Sequence, residues 1–159
     1  MIRNYVLSIV VLLMLTCAVS SQRLAGVWRL DEVKTTGPGG QTHKMTQPGM
    51  YFFTKSHYSI VRVDSDKPRS TDDPSKMTAA QLLDVYVDSF VANAGTYDMK
   101  AGKLTMKVMV AKSPTFMQAG TWVSFNVKFT GNTMTLTSVG SNTNATITNP
   151  TTLTLTRVE

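Results

Sequence analysis

Thr121-Trp122-Val123-Ser124-Phe125-Asn126-Val127-Lys128-Phe129-Thr130-Gly131-Asn132-Thr133-Met134-Thr135-Leu136-Thr137 is the stretch on which the fold turns. Val123, Phe125, Val127 and Phe129 alternate with Ser124, Asn126 and Lys128, the two-residue period of a strand with one apolar and one wet face. Gly131-Asn132 is a tight-turn dipeptide, and beyond it Met134 and Leu136 alternate with Thr133, Thr135 and Thr137. The pattern continues on both sides. Leu104, Met106, Val108 and Val110 alternate with Thr105, Lys107 and Met109 after the Ala101-Gly102 turn, and Leu153 and Leu155 alternate with threonines near the end.

Towards the start, Leu24, Gly26, Trp28 and Leu30 share one face of a first strand. Gly49–Thr54 and Tyr58–Asp64 read as a hairpin joined through Lys55-Ser56-His57, with a one-residue slip exchanging Met50 and Phe52 for Tyr51 and Phe53 on the inner face. Ser65–Ser75 and Gly140–Asn149 are polar and read as loops. Between them, Thr78-Ala79-Ala80-Gln81 fits a capping box, and Leu82, Leu83, Tyr86, Phe90 and Ala94 recur near helical spacing up to Gly95. The spacing predicts one helix over about 79–94, crossing a barrel end as lid or plug with Leu82, Tyr86 and Phe90 inward.

About eight sequential strands with one wet face imply an antiparallel sheet around a single interior. Closure removes the open edges, so the expected architecture is an all-β, eight-stranded, antiparallel up-and-down β-barrel. Such an interior is either filled by side chains or holds one small ligand.

A basic residue, Arg3, precedes the apolar block Val6–Leu15, which only Ser8 interrupts, and Ala18-Val19-Ser20-Ser21 follows. This is the pattern of a secretory leader over residues 1–20, leaving one domain over 21–159. The block is shorter than the roughly 20 apolar residues of a membrane span. The chain is therefore expected to be exported, periplasmic or secreted, with no stable membrane span once the leader is removed. Lipid anchoring through Cys17 is disfavoured because Thr16 stands directly before it. Cys17 is the only cysteine, so the domain has no disulfide to rely on.

The formal net charge of +6 comes from dispersed lysines with no basic stripe, which speaks against nucleic-acid binding. His43 and His57 both fall in turns, too thin a supply for a metal centre. No nucleophile elbow, phosphate loop or dinucleotide fingerprint is present, so no catalytic residue, cofactor or metal ligand is assigned. Asn144-Ala145-Thr146 has the form of a glycosylation acceptor.

Leu24-Ala25-Gly26-Val27-Trp28-Arg29-Leu30, the Gly49–Phe53 and Tyr58–Ile60 hairpin, Ala94-Gly95-Thr96-Tyr97 and the closing strands to Arg157 together resemble a bacterial lipocalin-like domain of the calycin type. The resemblance covers nearly all of residues 21–159. It implies structural roles for Gly26, Trp28 and Arg157, the tryptophan closing the barrel floor and the basic residue packing over it. Relatives often carry His and Arg where this chain has Met106-Lys107 and Ser124-Phe125, so their polar anchoring schemes do not carry over.

The expected function is non-covalent binding of a small hydrophobic ligand. Its lining would come from Met50, Phe52, Val61, Leu104, Met106 and Val108 on the earlier strands. Phe125, Val127, Phe129, Met134 and Leu136 would supply the later ones, with Leu82, Tyr86 and Phe90 from the helix. Methionines and aromatic rings suit an adaptable apolar lining. Two other readings stay open: a filled barrel whose loops contact another exported protein, and a small cyclase or isomerase, which needs an inward polar group. The oligomeric state is left open.

Overall fold

Alternation and turn chemistry produce nine strands in the computed structural model, which describes residues 23–142 and 147–159. They are β1 (Gly26–Thr35), β2 (Thr42–Lys44), β3 (Gly49–Phe53), β4 (His57–Val63), β5 (Phe90–Lys100), β6 (Lys103–Ala111), β7 (Trp122–Thr130), β8 (Thr133–Ser141) and β9 (Thr151–Arg157). The leader expected over residues 1–20, Cys17 and Asn144 lie outside the described residues.

All neighbours pair antiparallel in the order β2-β1-β3-β4-β5-β6-β7-β8-β9, and β1 also pairs with β9. That last pairing, Trp28 opposite Arg157 through Thr35 opposite Thr151, closes an eight-stranded barrel. Short β2 pairs with β1 over Glu32–Lys34, beyond the Gly26–Arg29 stretch that β3 occupies. The expected closed antiparallel barrel is therefore the observed fold.

Two features change the expected facing of side chains. First, the hairpin takes the alternative register. Tyr51 and Phe53 are buried while Phe52 is 40% exposed, and Tyr58 and Ile60 are buried while Val61 is 44% exposed. Second, Ala94 pairs with Val110 but Gly95 with Val108, so Met109 is an extra residue in β6. Such a bulge reverses the phase of the strand. Val110 consequently points outward and Ala111 takes the inner position opposite Asn93.

Gly95 makes this bulge possible. A Cβ there would sit 2.0 Å from the Lys107 carbonyl oxygen and 3.0 Å from the Met109 nitrogen. The residue is thus required by close backbone approach within β5, and not as the helix cap that its position suggested.

The helix is also shorter than expected. The capping box forms, with the Gln81 amide donating to Thr78 Oγ1 at 3.3 Å and the Thr78 amide to Gln81 Oε1 at 2.8 Å. From it α1 (Ala79–Leu82) runs into a π-helical turn, Leu83–Asp88, and stops at Ser89. Phe90 and Ala94 belong to β5. The aromatic and β-branched residues Phe90 and Val91, which open β5, favour extended backbone. The polar stretch after β8 is shorter too, because Gly140 and Ser141 extend that strand.

Candidate functional site

The two ends of the barrel differ. Its floor is filled by Leu24, Trp28, Phe53, Leu104, Met134 and Leu155, all buried, with Phe129 against the Trp28 ring at 5.9 Å between centroids. Trp28 Nε1 donates to the Leu24 carbonyl at 2.9 Å, giving the buried indole a partner for its N–H. The Arg157 guanidinium lies 4.3 Å from the Trp28 ring centroid and donates to the Ala25 and Glu159 carbonyls at 2.9 and 3.0 Å and to the Arg23 carbonyl. Gly26 leaves room for this group, since a Cβ there would fall 2.4 Å from an Arg157 nitrogen.

The opposite end is hollow. A cavity of about 520 Å³ opens between the middle of β3, the end of β4, the start of β5, the end of β6 and the starts of β7 and β9. Ile60, Met106, Val108, Val123, Phe125 and Leu153 form much of its wall. Val87, Phe90 and Val91 border it from the helical side, and Phe116 from the Pro114–Met117 turn. The volume falls within the roughly 300–1,000 Å³ of small-molecule sites.

Among the residues expected to line a site, Phe90, Met106, Val108 and Phe125 do border this cavity. Leu104, Val127, Phe129, Met134 and Leu136 pack into the core below it. Met50, Phe52 and Val61 sit on the outer-face positions, displaced by the register of β3 and β4. Leu82 is half-buried and Tyr86 exposed, neither bordering the cavity, because Val85 is the buried residue of the helical segment.

The alternation Tyr58, Ile60, Arg62 places an arginine on the inner side of β4, a position that a search for apolar lining passes over. Arg62 Nη1 donates to Tyr51 Oη at 2.6 Å and Nη2 to Asp64 Oδ2 at 2.7 Å, while its buried Nε has no partner among the described residues. Burial works against the Arg62 charge, but Tyr51 and Asp64 hold it above its ordinary value. Burial likewise pushes the Tyr51 phenol up, a shift that Arg62 opposes, so at neutral pH Tyr51 is a hydroxyl and not a base. The inward polar group that an isomerase reading requires is thus present.

The helical segment is held at the mouth mainly through main-chain carbonyls. Lys112 Nζ donates to the Val87 carbonyl and to the Phe90 carbonyl, the latter at 2.6 Å. Arg69 donates to the Val85 carbonyl at 3.0 Å and lies over the Tyr86 and Phe90 rings at 5.6 and 5.2 Å. Cations at the C-terminal end of a helical turn complement its dipole. Among the described residues no group of three or more His, Cys, Asp or Glu side chains is placed to hold a metal, and no helix is long and apolar enough to cross a membrane.

A solved lipocalin-like protein from Bacteroides uniformis ATCC 8492 superposes with a TM-score of 0.48 at 15% identity, covering 85% of this chain and 98% of that one. An uncharacterized protein from Bacteroides eggerthii DSM 20697 gives 0.47 at 16% identity, covering 84% and 98%. No curated protein matches the chain. The family profile of the lipocalin-like domain matches residues 25–158, from the strand that carries Trp28 to the one that carries Arg157, and the chain belongs to that family.

Proposed function

We infer that this protein is an exported binding module that holds a small, mainly apolar molecule non-covalently in the hollow half of its barrel. The cavity of about 520 Å³ carries this reading, because it lies above a floor already sealed by Trp28 and its neighbours. Apolar burial contributes about 25 cal/mol per Å², offset by the cost of immobilising the ligand. Affinity in the micromolar range follows for a ligand that fills the space, equivalent to about 8 kcal/mol. Export is supported by the leader pattern of residues 1–20, which suits a periplasmic or secreted location.

The test is a titration of the delipidated domain with N-phenyl-1-naphthylamine, a neutral apolar fluorophore. Saturable one-site binding in the micromolar range is expected. Val108→Trp, which directs an indole into the cavity, should weaken it at least tenfold. A linear, unsaturable signal with the unaltered protein would overturn the assignment.

A further inference from the structure

We propose that the cavity selects a monoanionic amphiphile, a carboxylic acid with an apolar body, whose carboxylate docks at the Arg62–Tyr51 pair while the body fills the hollow below. This rests on the binding function inferred above and adds the head-group chemistry.

Arg62 offers only donors, and its reach into a mainly apolar chamber, which Asn93, Lys112, Ser113 and Thr151 also border, is fixed by β4, whose inner positions are Tyr58, Ile60 and Arg62. The Tyr51 oxygen already accepts from Arg62 at 2.6 Å, which leaves its own hydrogen to donate elsewhere. Lys112 brings a second cation to the same cavity border, where its ammonium donates to two carbonyls and makes no ion pair among the described residues. The counter-charge on this cluster is Asp64, paired with Arg62 Nη2 at 2.7 Å and partly exposed. Two cations against one carboxylate leave a surplus of one positive charge at the cavity border, with Arg62 half-buried and Lys112 exposed.

One ligand carboxylate completes this balance. A dianionic head would bring an uncompensated negative charge into the same space, at a large desolvation cost. A cationic head would face two like charges. A neutral head would leave the charge as it stands and gain a single hydrogen bond. Guanidinium and carboxylate also match in shape, and such charge-assisted bonds are roughly twice as strong as neutral ones.

The experiment is isothermal titration at pH 7.5 with three probes sharing one tail: decanoate, decan-1-ol and decyltrimethylammonium. Decanoate should bind the unaltered protein at least tenfold more tightly than the alcohol, with the ammonium weakest. Arg62→Met should weaken decanoate by about tenfold or more and leave the alcohol within threefold. Equal affinities for decanoate and decan-1-ol in the unaltered protein overturn the head-group assignment while the apolar-binding function stands. Equal weakening of both probes by Arg62→Met has the same meaning. No saturable binding of any probe, nor of the neutral fluorophore, overturns both. If Arg62→Met does not fold, the head-group ranking on the unaltered protein decides.

Discussion

Replacing Arg157 by methionine removes the cation from the floor while keeping an unbranched apolar stem over the indole. The guanidinium sits 4.3 Å from the Trp28 centroid and donates to the Arg23, Ala25 and Glu159 carbonyls. The ring interaction contributes about 0.5–2 kcal/mol. Hydrogen bonds to charged groups contribute about 1.5–3 kcal/mol each when sequestered, but Arg157 is only half-buried on the outside of the floor, and water takes over part of their role. A net loss of about 2–4 kcal/mol follows, lowering Tm by roughly 5–15 °C. Urea unfolding followed by far-UV circular dichroism, in a double-mutant cycle with Trp28→Phe, separates the ring term as a coupling of about 0.5–2 kcal/mol. Stability of Arg157→Met within about 0.5 kcal/mol of the unaltered protein would refute the reasoning. Probe binding should not change, because the cavity lies at the other end of the barrel.

Tyr58 is 3% exposed and its hydroxyl has no partner among the described residues, so Tyr58→Phe should raise stability by about 1 kcal/mol at pH 7, and a loss of stability there would show that the hydroxyl is satisfied. Burial holds the folded phenol at about 12 against an ordinary 10.0, so the unfolded phenol ionises first as pH passes 10 and stability falls towards pH 12. Tyr58→Phe should make that alkaline decline shallower in urea titrations at pH 7 and pH 11. Gly95→Ala should cost about 2–4 kcal/mol in the same assay, since its Cβ meets the Lys107 carbonyl at 2.0 Å, and an unchanged midpoint would contradict the bulge geometry. Lys112→Met releases the Val87 and Phe90 carbonyls, so amide exchange over Leu83–Ser89 should quicken about tenfold, equivalent to about 1.4 kcal/mol of local opening, with β7 and β8 unaffected. Unaltered exchange there would mean that buried Val85 alone holds the segment.

The later strands were readable because Leu104, Phe125, Val127, Leu136 and Leu153 alternate with residues that tolerate water, which fixes both period and phase. In Gly49-Met50-Tyr51-Phe52-Phe53 both faces are apolar, so the period survives but the phase does not. The core decided it by burying Tyr51 and Phe53. The helix ends before its expected last turns for a related reason, since Phe90 and Ala94 satisfy the helical spacing while Phe90 and Val91 also carry strand propensity. Gly95 carried a true signal with two physical meanings, a left-handed cap or a close backbone approach, and only the pairing with Val108 separates them. Arg62 was visible as the third inner residue of β4 after Tyr58 and Ile60, yet a lining chosen for apolar character omits it.

Both extremities of the described domain meet at the floor, where the Val27 amide donates to the Glu159 carbonyl at 3.1 Å and the Val158 amide to the Val27 carbonyl at 2.8 Å. A brief linker from Glu159 to Arg23 therefore permits circular permutation, with new ends opened in the polar 65–75 stretch. A surface anchor or fusion partner attached on either side of that junction would leave the cavity entrance pointing away from the tether.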